Sequence, residues 1–210
     1  MIRTTDDGSQ TLIHPIIGDS YHSLHGAVAE SEHIYISAGL GSVSGGDISI
    51  LEVGFGSGLN ALLTIRAIEH TGQSVRYTGV ELYPVWQDVA QRMDYAAEPH
   101  FLELHSSPWG EWCDITPSFK LLKERVDLVE YDFNDSFDLV YFDAFAPDSQ
   151  PELWSEAIFA RIYSAMNRGG VLVTYSSKGV VKRALRAVGF EVSRLAGPVG
   201  KRHIVRAVKK

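Results

Sequence analysis

Cysteine is nearly absent from this sequence, with Cys113 the only one in 210 residues. A single cysteine excludes an intrachain disulfide and leaves no pair for a zinc knuckle, so neither a disulfide scaffold nor a Cys-rich metal domain is expected. Cys113, between Trp112 and Asp114, reads as a packing residue. Also lacking are an N-terminal apolar h-region and any apolar run near the roughly 18 residues that span a bilayer, so no membrane segment and a cytoplasmic location are expected. No Pro-, Gly- or Ser-rich linker divides the chain. The expectation is one domain over 47–210, with a small N-terminal extension over 1–46. Positive charge is scarce along most of the length: residues 1–177 hold 9 Lys and Arg against 25 Asp and Glu, a net of −16. Residues 178–210 reverse this, with 10 Lys and Arg and the single acid Glu191, a net of +9. A basic end on an acidic body predicts a phosphate-binding patch, the alternative being a solvated helix face.

What is present is concentrated in a few places. The run Leu51-Glu52-Val53-Gly54-Phe55-Gly56-Ser57-Gly58-Leu59-Asn60 is an apolar strand that breaks into three alternating glycines and then into an apolar helix. Glycines there permit tight turns and close ligand approach, and the helix start offers free N–H groups. The spacing G-x-G-x-G differs from the G-x-G-x-x-G that lies under a dinucleotide pyrophosphate. A cofactor without phosphate, S-adenosylmethionine (SAM), fits better. Glu52, Gly54, Gly56, Gly58 and Asn60 are therefore candidate cofactor-binding residues. A second strand ends in Glu81, 23 positions past Gly58. In doubly wound sheets an acid about 20 residues beyond the glycines takes the ribose hydroxyls.

After residue 47 strands and helices alternate, which predicts a parallel sheet with crossover helices. Strands are expected near 48–53, 75–81, 119–126, 137–143, 170–176, 190–195 and 202–208, and helices near 59–70, 84–96, 151–167 and 179–188. The last two strands are close enough for an antiparallel hairpin. The third must stop near Val126, because running it to Asp132 leaves too little chain for a parallel crossover. Asp127, rather than Asp132, then faces the cofactor as a partner for the adenine amino group. In the extension, a hairpin over 1–20 and a segment covering the cleft are expected. His22, His25, His33 and Glu30 lack zinc-type spacing, and no metal is expected. The stretch 99–118, with Trp109 and Trp112, reads equally as a substrate-side loop and as core anchoring.

The run Phe137 to Trp154 delivers Asp143 to the carboxyl end of an apolar strand and follows it with a proline-bounded loop. Carboxyl ends of parallel strands form the binding crevice, so Asp143, with Phe145 and Pro147 beside it, should meet the substrate. Methyl transfer is an in-line displacement in which the enzyme aligns partners and tolerates positive charge on the acceptor. A carboxylate beside an attacking amine does both.

These stretches carry a resemblance. The Gly54 to Asn60 cradle, Asp143-Ala144-Phe145-Ala146-Pro147 with Gln150 to Trp154, Tyr175 to Leu185, and Gly200-Lys201-Arg202 resemble, in order and over nearly the whole chain, the methyltransferase half of the bifunctional tRNA wobble-uridine enzymes of the MnmC family. The resemblance implies a class I SAM-dependent methyltransferase of Rossmann-like α/β fold, with a mostly parallel seven-stranded sheet and an antiparallel C-terminal hairpin. It implies N-methylation of a 5-aminomethyl-2-thiouridine at the tRNA wobble position, with Asp143 catalytic and Glu81 and Asp127 on ribose and adenine. Lys178, Lys182, Arg183, Lys201 and Arg202, with Arg186, would meet RNA phosphates. No counterpart of the flavin-dependent oxidase half is expected in these residues, so neither flavin nor metal is anticipated and a separate enzyme would supply the amine. Two rivals stand: a small-amine methyltransferase or aminopropyltransferase, which would not need the basic end, and a SAM-binding partner protein without catalysis, which would not need Asp143.

Overall fold

In chain order, the computed structural model, which describes residues 1–210, begins with an antiparallel hairpin of β1 (Ile2–Thr4) and β2 (Gln10–Leu12). Helix α1 (Ala27–Ser31) follows and runs directly into a π-helical turn over Glu32–Ser37. The sheet then starts with β3 (Asp47–Val53), α2 (Leu59–Ile68) and β4 (Ser74–Val80). Where one helix over 84–96 was expected, the chain makes short pieces: α3 (Gln87–Ala90), a 3-10 turn over Asp94–Ala97, and α4 (Phe101–Ser106). His100, with φ of 66°, breaks the path just before α4. Next come β5 (Cys113–Thr116), β6 (Phe119–Glu124) and β7 (Phe137–Phe142). A 3-10 turn over Pro151–Trp154 leads into α5 (Glu156–Ala165), whose N-cap Ser155 accepts from the Ile158 amide. The chain closes with β8 (Met166–Thr174), α6 (Gly179–Ala187), β9 (Glu191–Ala196) and β10 (His203–Val208).

The sheet order is β5-β6-β4-β3-β7-β8-β10-β9. The expected seven strands are eight: β5 adds an antiparallel edge strand from the Trp112-Cys113 stretch, which carries too little alternation to announce itself. Parallel pairing runs from β6 through β4, β3 and β7 to β8, and the C-terminal hairpin of β9 and β10 closes the other edge antiparallel. Both faces of the centre are covered, which is why β7 ends in the continuous apolar run Leu139-Val140-Tyr141-Phe142 rather than in alternation. Ile50, Tyr77, Leu139 and Tyr141 point into one core with α2 and α4, while Leu51, Val53, Val140 and Phe142 point into the other with α5 and α6.

From β3 the chain builds outward through β4 to β6 and then crosses back to β7 on the other side of β3. That reversal is the topological switch point, and the crevice beyond the carboxyl ends of β3 and β7 is where ligands of such sheets sit. The return from β6 to β7, residues 125–136, has no helix. Strand β6 ends at Glu124, two residues before the expected stop, which gives this connection more chain. Arg161 on α5 holds it: its guanidinium donates to the carbonyls of Leu128 at 3.2 Å, Val129 at 2.6 Å and Tyr131, and lies over the Phe133 ring. Removing these bonds in Arg161→Ala should lower stability by about 1–3 kcal/mol, the range for hydrogen bonds to a charged group. Amide exchange should accelerate most over residues 126–133, a pattern that a uniformly destabilised fold would not give.

Candidate active site

The switch point opens into a cavity of about 400 Å³, within the size range of small-molecule sites. Its floor comes from the ends of β3, β4 and β7. Gly54, Gly56, Glu81, Asp127, Asp143 and Phe145 all line it, as do Tyr21 and Glu30 of the N-terminal segment and Lys201 of the β9–β10 turn.

The three glycines have φ of +86°, +52° and +73°, a backbone that side chains strain to adopt. Space forbids them too. A Cβ on Gly54 would lie 2.7 Å from the Asp143 carbonyl oxygen, and one on Gly56 would lie 2.8 Å from the Tyr21 ring. Gly54 thus serves the contact between the ends of β3 and β7 as well as any ligand. Gly58 caps α2 without a side-chain partner and does not reach the cavity wall.

Glu81 anchors the glycine loop. Its carboxylate accepts from the Gly56 amide at 2.9 Å and the Tyr83 amide at 2.7 Å, which leaves a lone pair on each oxygen for a ligand. Burial pushes its pKa up, and those amides pull it partly back. Asp127 lines the cavity with one oxygen committed to the Val129 amide at 2.9 Å, whereas Asp132 is exposed and lies outside. Tyr21, Tyr83, Phe145 and the buried His14 form a cluster of tilted and edge-on rings at the adjoining wall.

Asp143 sits just past β7, its amide donating to the Val53 carbonyl at 2.9 Å. The carboxylate opens partly to the cavity but is ringed by protein: the Tyr35 hydroxyl donates to Oδ1 at 2.6 Å and the Asn60 amide to Oδ2 at 2.8 Å. Desolvation raises its pKa to about 7, with the charge of Glu30 adding to the rise and Tyr35, Asn60 and Lys201 opposing it. The group therefore titrates near neutral pH, where an acid-base or positioning carboxylate is most responsive.

Two expected cofactor ligands lie deeper. Glu52 is fully buried, does not line the cavity, and receives the Asn60 amide at 2.8 Å. Desolvation holds its carboxyl well above the usual carboxylate range, and it lies near enough to Tyr77 for each to affect the other's protonation but outside hydrogen-bond geometry. Alternation is the reason: residue 52 shares with Ile50 the face of β3 that packs against α2, where Asn60 meets it. Asn60 is likewise buried and acts through Asp143. Of the substrate candidates, Phe145 lines the cavity and Pro147 is buried outside it.

The basic residues divide. Lys182, Arg183 and Arg202 lie at the rim that carries the carboxyl ends, because α6 starts after β8 and β10 runs antiparallel to β8. Lys178 is exposed there and paired with Asp148. Lys201 corrects the expectation of a surface phosphate contact: it turns inward to pair with the buried Glu30, its ammonium 4.8 Å from the Tyr175 ring centre. A buried carboxylate left unpaired would be costly, which explains the inward turn.

The N-terminal segment brings Tyr21, Glu30 and Tyr35 to the site, and sequence reasoning assigned them no role. Each reads as an ordinary core residue or charge, and only the π turn, a feature frequent at functional sites, would have marked Tyr35. His22, His25 and His33 diverge: His22 is buried, with its pKa pushed down to about 4, His25 contacts exposed Asp6, and His33 meets the Ala196 carbonyl. No three His, Cys, Asp or Glu side chains converge as a metal set. The 99–118 stretch is structural, with buried Lys123 donating to the Leu104 and His105 carbonyls and lying over the Trp109 ring. Trp112 stacks with Arg76 at the sheet edge.

A family described as S-adenosyl-L-methionine-dependent methyltransferase matches residues 111–210. The tRNA 5-methylaminomethyl-2-thiouridine biosynthesis bifunctional protein MnmC of Burkholderia thailandensis is 31% identical over 225 residues, covering 94% of this chain and 33% of that protein. The MnmC of Burkholderia mallei is 30% identical over 223 residues. The chain thus spans about a third of the length of the curated relatives it matches. The crystal structure of MnmC2 from Aquifex aeolicus superposes with a TM-score of 0.81 and 29% identity, over 98% of this chain and 69% of that one. DesVI of Streptomyces venezuelae, at 12% identity and a TM-score of 0.52, shares the fold alone. Sequence, topology and cavity converge: this chain is homologous to the methyltransferase portion of MnmC, and its residues 111–210 match the SAM-dependent methyltransferase family.

Proposed function

We propose that this protein transfers a methyl group from SAM to the amine of a 5-aminomethyl uridine at the tRNA wobble position, with the amine supplied by a separate enzyme. The observation that carries this reading is the placement of Asp143: a carboxylate of near-neutral pKa at the carboxyl end of β7, in one cavity with the glycine cradle and Glu81. The role of the MnmC relatives in tRNA 5-methylaminomethyl-2-thiouridine biosynthesis supports the choice of acceptor.

The residues present suit the cofactor. Gly54 and Gly56 keep the cradle free of side chains, Glu81 offers lone pairs to ribose hydroxyls, and Asp127 offers its free oxygen to an adenine amino group. When bound, SAM supplies an electrophilic methyl on a sulfonium. Asp143 accepts an N–H from the neutral amine and so aims its lone pair; as the C–N bond forms and the S–C bond breaks, it stabilises the new ammonium and then takes its proton. Phe145 offers a face for the uracil ring. Arg183 and Arg202, both exposed, with Lys182 and Lys178, supply the cationic rim for the anticodon backbone.

The test is incubation with labelled SAM and tRNA that lacks the terminal methyl, followed by nucleoside analysis. Label in 5-methylaminomethyl uridine is expected; label only in a small amine would replace this reading with the metabolite enzyme. Asp143→Ala should lower turnover by about 10²–10⁴-fold, the span of a general acid-base group, with little change in the KM for SAM. In Arg183→Ala/Arg202→Ala, the slope of log affinity against log salt should fall by roughly 0.7–0.9 for each phosphate that is no longer neutralised. An unchanged slope would show that neither arginine touches the backbone.

The raised pKa also has a stability signature. In the unfolded chain Asp143 ionises near its ordinary value of 3.8, and in the folded protein near 7, so the stability it contributes is fully present below about pH 4 and is lost as pH rises through 7. Asp143→Asn, which cannot ionise, should match the wild type in melting temperature at pH 4 and exceed it at pH 8. For a chain of this size each kcal/mol is about 2–4 °C, so a rise of several degrees is expected. A gap that does not widen with pH would contradict the buried charge.

A further inference from the structure

We infer that Tyr35 is a positioning residue for methyl transfer: its hydroxyl, delivered from the π turn of the N-terminal segment, orients the Asp143 carboxylate and holds it in the charged form that an amine can use. The inference rests on the proposed reaction for its catalytic meaning and on geometry for the coupling itself.

The geometry has three parts. Tyr35 is 1% exposed, and its hydroxyl meets Asp143 Oδ1 at 2.6 Å, the length of a charge-assisted O–H···O⁻ bond. Asn60 takes the other oxygen from the opposite side, so the two donors fix the plane of the carboxylate and leave its remaining lone pairs to the cavity. Third, the ring is held in place, since it is buried and packs against Tyr141 at 5.2 Å between centres. The irregular turn over Glu32–Ser37 sets Tyr35 on the side of the segment that also carries buried Glu30.

The other groups facing Asp143 do not replace Tyr35. Glu30 on α1 is an acid whose charge works against ionisation and is offset by Lys201 from the β9–β10 turn. Glu52 on β3, whose carboxyl burial holds well above the usual range, shares the Asn60 amide with Asp143 and makes no hydrogen bond to it. Tyr175, after β8, spends its hydroxyl on the Ala144 carbonyl at 2.8 Å, and Tyr77 on β4 makes no hydrogen bond. Tyr35 is the phenol that donates to the carboxylate.

The experiment has one arm without substrate and one with it. In protein carrying ¹³C-labelled aspartate carboxyls, Asp143 should titrate higher in Tyr35→Phe than in the wild type, by about one pH unit, the worth of one hydrogen bond to a charged group. Tyr141→Phe, which removes a neighbouring buried hydroxyl that does not touch Asp143, should leave the titration in place. If Tyr35→Phe does not fold, the Cζ resonance of Tyr35 in wild-type protein should move with the same midpoint as Asp143. Equal Asp143 midpoints in wild type and Tyr35→Phe, or a Tyr35 resonance indifferent to that midpoint, would overturn the inference. In the second arm, the acid limb of turnover on tRNA should move upward by the same amount in Tyr35→Phe, with the KM for SAM unchanged. A moved midpoint with no methylation of any tRNA amine would defeat the assigned reaction while upholding the Tyr35–Asp143 coupling.

Discussion

The missing side chain at Gly54 decides how close the ends of β3 and β7 come. A single methyl there would collide with the Asp143 carbonyl and break the hydrogen bond from the Asp143 amide to Val53. Because this junction is backbone against backbone, the glycine loop after β3 and the carboxylate after β7 share one register, set by the sheet rather than by flexible side chains. Everything else at the site is arranged around it: Glu81 ties the glycine loop to β4, and Arg161 ties the loop after β6 to α5.

Glu30, Glu81 and Asp143 line the crevice and Glu52 lies just behind it; these acids would repel each other if all were charged, and the fold treats each differently, giving Glu30 the Lys201 ammonium. Full desolvation pushes the Glu52 carboxyl well above the usual carboxylate range. Glu81 is held by backbone amides that partly offset its burial. Asp143 alone is balanced near neutrality, between desolvation on one side and the donors Tyr35 and Asn60 on the other. Environments that push like groups apart in pKa are how one site assigns different tasks to identical chemistry.

The parts legible in the sequence were those written locally. The cradle, the acid ending β4 and the aspartate ending β7 each follow an apolar run into a break, and such runs dictate strand ends whatever surrounds them. Asp127 was legible through the minimum length of a crossover. The edge strand β5 and the broken helix after Pro84 were not, because their residues carry no period and are shaped by what they pack on. Glu52 was misplaced because the glycine motif suggests contact, whereas strand alternation turns that position inward. Lys201 was misread as surface charge, since its partner Glu30 stands 171 positions away and no local pattern joins them. Tyr35, 108 positions from Asp143, was invisible for the same reason.

Those separations bear on when the site comes into being. Folding on the ribosome proceeds from the N-terminus, and contacts between distant positions form late. Until residue 201 has emerged, Glu30 has no cation, and until residue 143 has emerged, Tyr35 has no acceptor. The glycine loop over residues 51–60 can therefore take shape while the Asp143 side of the crevice remains open, and, on the proposed function, a nascent chain able to hold SAM would still be unable to orient an amine. Competence arrives with the final hairpin.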